Sequence, residues 1–251
     1  MAQELLDRLD DVKRDFREAL DIDSGDGWLG EQLGTRGIRV DTLDAGPGAS
    51  ITADEDRMEI GEGRYDLIVS AGGLDSVNDL PGALVLIRRA LRPDGLFLAG
   101  FPGGGSLPIL RRAMMAADLA DGGAPSPRIH PQIDVRSAGD LLSRTGFALP
   151  VADSLPLDVR YPHLPALLRD LRAMGATNVL HARDRRPLNR SRLLAAITSF
   201  AEAGSPADGR VAEHFELIFL SGWAPAESQP RPARRGSAVA SLADALRKTD
   251  E

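Results

Sequence analysis

Apolar positions along the chain change their period several times, and each change marks an element. Leu5, Leu6, Leu9, Val12, Phe16 and Leu20 recur at three- and four-residue steps among charged residues, which predicts an amphipathic helix ending near Glu18. A strand is expected in "LDID" (20–23), then a short helix over 30–36 and a strand in "GIRVDTLD" (37–44), bounded by Gly37 and "AGPG". "YDLIVSAG" (65–72) and "LFLAGF" (96–101) are nearly continuous apolar runs, the pattern of strands buried on both faces of a parallel sheet. Between them, "NDLPGALVLIRRAL" (78–91) has helical periodicity behind a cap at Asn78 or Asp79, and "RPDG" (92–95) reads as a turn. Strands alternating with helices predict a parallel α/β sheet.

The second half continues with a glycine-rich turn and a helix in "PGGGSLPILRRAMMAADLADGG", then a helix in "SAGDLLSRTGF" (137–147) closed by Gly146. "ALPVADSLPLDVRY" (148–161) predicts a strand pair or one broken strand, "PALLRDLRAMG" (165–175) a helix, and "RVAEHFELIFLSGWAP" (210–225) the last strand. From Glu227 the chain turns rich in proline, arginine and serine, which predicts a mobile tail with a short helix over 241–247. Residues 1–226, with the N-terminal helix over 1–18, are then read as one domain and 227–251 as the tail; no internal repeat is visible.

Composition narrows the function classes. The chain has 251 residues, enough for one large α/β domain with a substantial core. It has no cysteine, which excludes disulfides, thiolate zinc sites and cysteine nucleophiles and fits a reducing cytoplasm. A formal net charge of -7 argues against a global nucleic-acid footprint. No apolar run reaches the roughly 18 residues of a membrane span. The acid-rich opening is neither a secretion signal nor a transit peptide. The expected location is therefore cytoplasmic.

The candidate chemistry sits in "ALDIDSGDGWLG" (19–30). Gly25, Gly27 and Gly30 match G-x-G-x-x-G, and Asp21, Asp23 and Asp26 stand among them. A plain strand-to-helix turn is the bland reading. Calcium would require glycine at the sixth loop position and glutamate at the twelfth, where this chain has Asp26 and Gln32. A nicotinamide dinucleotide would use the glycines for its pyrophosphate and Asp44, 19 residues after Gly25, for a ribose. Asp23 and Asp26 would then repel the pyrophosphate. S-adenosylmethionine reverses that objection, because its ammonium and sulfonium are cations. Asp44 would accept the ribose hydroxyls, and Asp54 or Glu55, in "TADED", would meet adenine or ribose edges unless that segment is simply a solvated turn.

"YDLIVSAGGLDSVNDLPGALVLIRRALRPDGLFLAG" resembles the fourth to fifth strands of class I methyltransferases. More specifically, it is similar to bacterial relatives of the mitochondrial complex I assembly factor that is methyltransferase-like and hydroxylates an arginine. The similarity continues through "SPRI", "DVRSAGDLLSRTGFALPVAD", "VRYPHLPALLRDLRAMGATN", "HFELIFLSGWAPAESQ" and "RGSA", covering about residues 7–248. Malonyl carrier-protein methyltransferases resemble the first half more than the second. The resemblance implies a Rossmann-like, seven-stranded, mainly parallel sheet with an antiparallel last strand. It implies a cofactor site at Asp21, Asp23, Gly25, Gly27, Asp44, Asp54, Glu55 and Ala71, and S-adenosylmethionine as cofactor. It also implies a protein substrate or a respiratory-complex subunit as partner. This chain departs from the family pattern at Asp23, where the family has glycine, and at Leu74-Asp75-Ser76, where it has leucine-histidine-tryptophan. It also starts later than the family pattern, so a helical segment able to cover the cofactor is expected to be lacking. An aspartate side chain at 23 takes space needed by the cofactor's amino-acid end, so weak binding is expected, tens of micromolar or worse, or roughly 6 kcal/mol or less.

Other residues have a sharp and a bland reading. Arg160 and Tyr161 fall on the substrate side by the resemblance, or are a surface arginine and a packed tyrosine. His130, in the proline-bounded "PRIHPQ", is a candidate base or an exposed loop histidine. Trp223 reads as a packing anchor. Arg183, Arg185, Arg186, Arg190 and Arg192 form a basic cluster that suits an acidic partner surface or a solvated helix edge. No histidine pair has metal-ligand spacing, so no metal is expected. The sequence therefore reads as an S-adenosylmethionine-dependent methyltransferase-like protein. The alternatives are an arginine hydroxylase or a non-catalytic assembly factor for a respiratory complex.

Overall fold

A computed structural model describes residues 1–44, 50–52, 60–180, 183–184 and 187–230. Its strands are β1 (Glu18–Ile22), β2 (Arg39–Asp44), β3 (Ile51–Thr52), β4 (Tyr65–Ala71), β5 (Leu91–Pro102), β6 (Ala148–Tyr161) and β7 (Val211–Trp223). They form one sheet in the order β3-β2-β1-β4-β5-β7-β6. The first five run parallel, and β7 runs antiparallel to both of its neighbours. The four strands expected to be adjacent and parallel are so, and β4 is buried along nearly its whole length, as its apolar run requires.

Helices α1 (Ala2–Asp10) and α2 (Trp28–Thr35) cover one face of the sheet, over Leu5, Leu6, Leu29, Leu33, Val69 and Phe219. Helices α3 (Leu80–Ala90) and α5 (Val135–Arg144) cover the other, over Leu84, Ile87, Phe97, Leu142 and Phe147. A second core gathers under α4 (Pro108–Leu119), α6 (Leu164–Ala173) and α7 (Arg190–Ala201), where Leu110, Leu167, Phe200 and Phe215 meet. Side-chain caps set the starts of several helices. Asp79 accepts from the Gly82 N–H, Asp134 from Ser137, His163 from Ala166 and Asn189 from Arg192. Buried Glu213 on β7 accepts the N–H groups of Ile109 and Leu110 at 3.0 and 2.8 Å, anchoring the first turn of α4.

Two expectations change, at the N-terminal helix and at the turn over 92–95, and of the two readings of 148–161 the single broken strand is the one observed. The N-terminal helix stops at Asp10 rather than near Glu18, which instead opens β1. Val12 and Phe16 keep the helical spacing, but the backbone N–H groups of Arg17 and Glu18 go to the Asp66 carboxylate at 3.1 and 3.0 Å, which holds this segment against the sheet. Residues 148–161 form one long edge strand with a register shift between Ala148 and Val151, where Leu149 is left-handed. The turn at 92–95 lies inside the span of β5, with Asp94 left-handed. Helix α7 was not anticipated as an element. The expected terminal helix over 241–247 lies outside the described residues. Among the described residues, no helix is long and apolar enough to cross a membrane.

Candidate functional site

The loop after β1 is built around its acids. Gly25 and Gly27 adopt left-handed φ values of 64° and 76°, and Gly27 leads directly into α2. Both have open space where a side chain would stand, so the turn uses their backbone freedom. Gly30 is different. A Cβ there would lie 3.1 Å from Asp21 Oδ2, so its lack of a side chain lets α2 lean onto β1. Asp21 is buried and accepts from the Ser24 hydroxyl and the Gly30 N–H. Ser24 Oγ in turn accepts the Ala71 N–H at 3.2 Å, joining the loop to the end of β4. Burial raises the Asp21 carboxyl to about 6 against the opposing hydrogen bonds from Ser24 and Gly30. Its carboxyl is thus engaged within the loop itself.

Asp23 follows the last residue of β1 with φ 47° and donates its N–H to Leu43 O at 2.9 Å. Its side chain lies directly on Gly73. A side-chain carbon at residue 73 would stand 2.7 Å from Asp23 Cβ and 2.8 Å from its Cγ. The register pairs Ile22 with Leu43 on one side and Ser70 on the other, which brings the strand ends carrying Asp44 and Ala71 beside Asp23. Burial first, then the charges of Asp44 and Asp75, raise the Asp23 carboxyl to about 6. The Asp75 carboxyl is also raised by burial, opposed by its own backbone N–H and by nearby His130. His130 Nε2 accepts the Val179 N–H at 3.2 Å, so the loop bearing it is tied to the segment after α6.

Asp21, Asp23, Gly25, Gly27, Asp44 and Ala71 therefore gather at the C-terminal ends of β1, β2 and β4, the crevice where open α/β sheets take ligands. Asp54 and Glu55 lie outside the described residues. Arg160 pairs with Asp208 at 2.7 and 2.8 Å, and Tyr161 is buried in the second core. The Tyr161 hydroxyl is pushed up by burial and then by the charge of Asp170. Trp223 packs in the core on the α1 face, with the Arg14 guanidinium 5.8 Å from its ring. In the basic cluster, Arg183 bonds to the carbonyls of Val179 and Leu180, and Arg192 pairs with Asp121 at 3.5 Å. Arg185 and Arg186 lie outside the described residues.

By the resemblance, Asp75 and Ser76 stand where the family's histidine and tryptophan line the site; the charge of Asp75 there, Gly73 and Ser24 were not weighed in the sequence. Position alone could have flagged Asp75, since it follows the buried run of β4 by four residues. Among the described residues, no group of three or more acids and histidines is disposed to hold a metal ion. The strand ends suit a cationic ligand, because the Asp23 carboxyl lies in the field of both Asp44 and Asp75. The space is tighter than the charge suggests, because the Asp23 side chain fills the gap against Gly73. Two grooves lie elsewhere, one between α3 and α5 beside Asp79, Leu86 and Arg144, the other beside Met114, Met115 and Asp118 on α4.

The profile of a family described as a methyltransferase domain matches residues 1–149. The chain is 35% identical over 251 residues to the zebrafish (Danio rerio) protein named "Arginine-hydroxylase NDUFAF5, mitochondrial", covering 95% of this chain and 78% of that protein. It is 33% identical to a "Malonyl-[acyl-carrier protein] O-methyltransferase" of Xylella fastidiosa, covering 78% of this chain and 64% of the relative. Its fold is like that of the YcgJ protein from Bacillus subtilis, with a TM-score of 0.61 at 13% identity, over 90% of this chain and 100% of the other.

Proposed function

The chain belongs to the methyltransferase-domain family, and from that premise we propose that it binds S-adenosylmethionine weakly at the ends of β1, β2 and β4 and acts on a protein substrate. The observation that carries this reading is the convergence of Asp23, Asp44 and Asp75 at the strand ends. A cation relieves their mutual repulsion, and an anionic pyrophosphate would add to it. Asp44 would accept the ribose hydroxyls, and Asp54 or Glu55 would meet the adenine or ribose edges. Gly25 and Gly27 let the backbone approach the ligand, with Ala71 beside it. Asp21 acts through Ser24, holding the loop to β4. When bound, the cofactor supplies an electrophilic methyl group on sulfur. The chain's part is then to position an acceptor and exclude water, with His130, beside Asp75, as the candidate on the substrate side; Arg160 is engaged by Asp208 and Tyr161 is packed in the second core.

A second reading is favoured by the relative that matches 95% of the chain and is named an arginine hydroxylase. In it, the same crevice serves hydroxylation of a protein arginine, or the protein holds a respiratory-complex subunit without catalysis. Equilibrium dialysis with labelled S-adenosylmethionine tests the cofactor. Wild type should bind at tens of micromolar or weaker. Asp44→Ala, which removes a charge-assisted hydrogen bond of roughly 1.5–3 kcal/mol, should bind about tenfold to a hundredfold more weakly still. Equal binding by wild type and Asp44→Ala removes Asp44 from the site. No binding by wild type at millimolar cofactor leaves the holding role.

A further inference from the structure

Asp23 stands at the C-terminal ends of β1, β2 and β4, and its conformation holds it there. The left-handed backbone at φ 47° is one that aspartate visits more readily than most residues. The N–H bond to Leu43 O fixes that backbone to β2. The side chain then projects onto Gly73, whose missing Cβ is what admits it. Gly72 and Gly73 are themselves at φ 128° and 35°, and the Gly72 N–H is bonded to Gly100 O at 2.9 Å. The receiving surface is therefore a fixed glycine pair on the β4 side. The contact spans two sides of the crevice, and a ligand entering between β1 and β4 must displace it.

We propose that Asp23 is a built-in stopper of this crevice, which must swing off Gly73 before the charged amino-acid end of an adenosyl sulfonium or thioether ligand can enter. This rests on the cofactor reading above and deepens it by giving the expected weakness of binding a structural cause, the contact of Asp23 with Gly73 that a ligand must break. Charge alone predicts the opposite, since removing a carboxylate from the site should weaken binding of a cation. The raised Asp23 carboxyl agrees with a group held in place by packing rather than by an ion pair.

The test separates space from charge with two variants. Titrations with S-adenosylmethionine and, separately, S-adenosylhomocysteine are run by calorimetry on wild type, Asp23→Gly and Asp23→Asn. Circular dichroism and thermal melts show that each is folded. Glycine suits a left-handed position, and asparagine keeps the size and conformation of aspartate without its charge. The stopper predicts at least tenfold tighter binding of both ligands by Asp23→Gly, and Asp23→Asn as weak as wild type. Tight wild-type binding with no gain in Asp23→Gly overturns the stopper and leaves the cofactor reading standing. Asp23→Asn binding as tightly as Asp23→Gly also overturns it, because a side chain of the same bulk then does not block the ligand. If none of the three folded proteins binds either ligand, both readings fall together.

Discussion

Asp23→Asn is expected to stabilise the fold at pH 7.5, and by less at pH 5. The charged groups facing Asp23 are Asp44 on β2 and Asp75 after β4, with His130 beyond Asp75. Burial and these acids lift the Asp23 carboxyl from its ordinary value to about 6, so the folded state resists its ionisation. Full ionisation at pH 7.5 would then cost about 3 kcal/mol. Asp23 is only partly buried, and solvent screening reduces this to about 1.5 kcal/mol. A carboxyl raised in the folded state stabilises most below its unfolded value, and that stability is lost as pH rises towards about 6. A cost screened to about 1.5 kcal/mol corresponds to an effective shift of about one unit, so only ~0.3 kcal/mol of the loss falls between pH 5 and pH 7.5 and most of it lies lower. Asparagine has no such titration. Urea denaturation of both proteins at pH 7.5, 5 and 4 should therefore show Asp23→Asn ahead by ~1.5, ~1.2 and ~0.5 kcal/mol. A variant that is less stable at pH 7.5, or a gap that does not change with pH, would refute the electrostatic account of this loop.

Two further perturbations probe the same architecture. Gly73→Ala places a methyl group against Asp23 at a left-handed position and should cost about 1–3 kcal/mol by denaturation, with roughly 1 kcal/mol recovered in combination with Asp23→Gly. Additive effects would show that the two residues do not press on each other. Glu213→Ala leaves the buried N–H groups of Ile109 and Leu110 unpaired and should cost about 3 kcal/mol, lowering Tm by about 6–12 °C, whereas Glu213→Gln should lose less. A fall of less than about 2 °C for Glu213→Ala would mean that α4 does not depend on this anchor.

The parts of the fold that were legible in the sequence are those whose information is local. The apolar runs of β4 and β5 and the cap of α3 at Asp79 announce themselves within a dozen residues. The end of α1 was not legible, because what holds Arg17 and Glu18 is Asp66, a residue about fifty positions away. Helix α7 buries few of its residues and has a mixed polar pattern, so its periodicity is faint. In the site, Asp21, Asp23 and Asp44 were visible from loop chemistry and spacing. Their differing circumstances were not. Asp21 is engaged by Ser24 and Gly30, while Asp23 meets Gly73, and only the folded register brings those partners together.

The placement of β7 between β5 and β6 sets a schedule for synthesis. Strand β5 has β4 on one side, but its other edge waits for a segment more distant in sequence, with Pro102 paired to Leu217 and Leu96 to Trp223. At roughly 5–20 residues per second, a growing chain carries that edge unpaired for on the order of ten seconds. The edge is buried and apolar in the finished protein, from Leu96 to Phe101, which is the kind of edge that invites pairing with other chains. The glycine run after β5 is also completed late, since Gly103 bonds to the Glu216 carbonyl and Gly105 to its carboxylate. A ribosome-bound chain that has already made the acidic loop thus still lacks one wall of the molecule. Shielding of the nascent β5 edge, rather than stability of the finished sheet, would then govern how much protein reaches the native state.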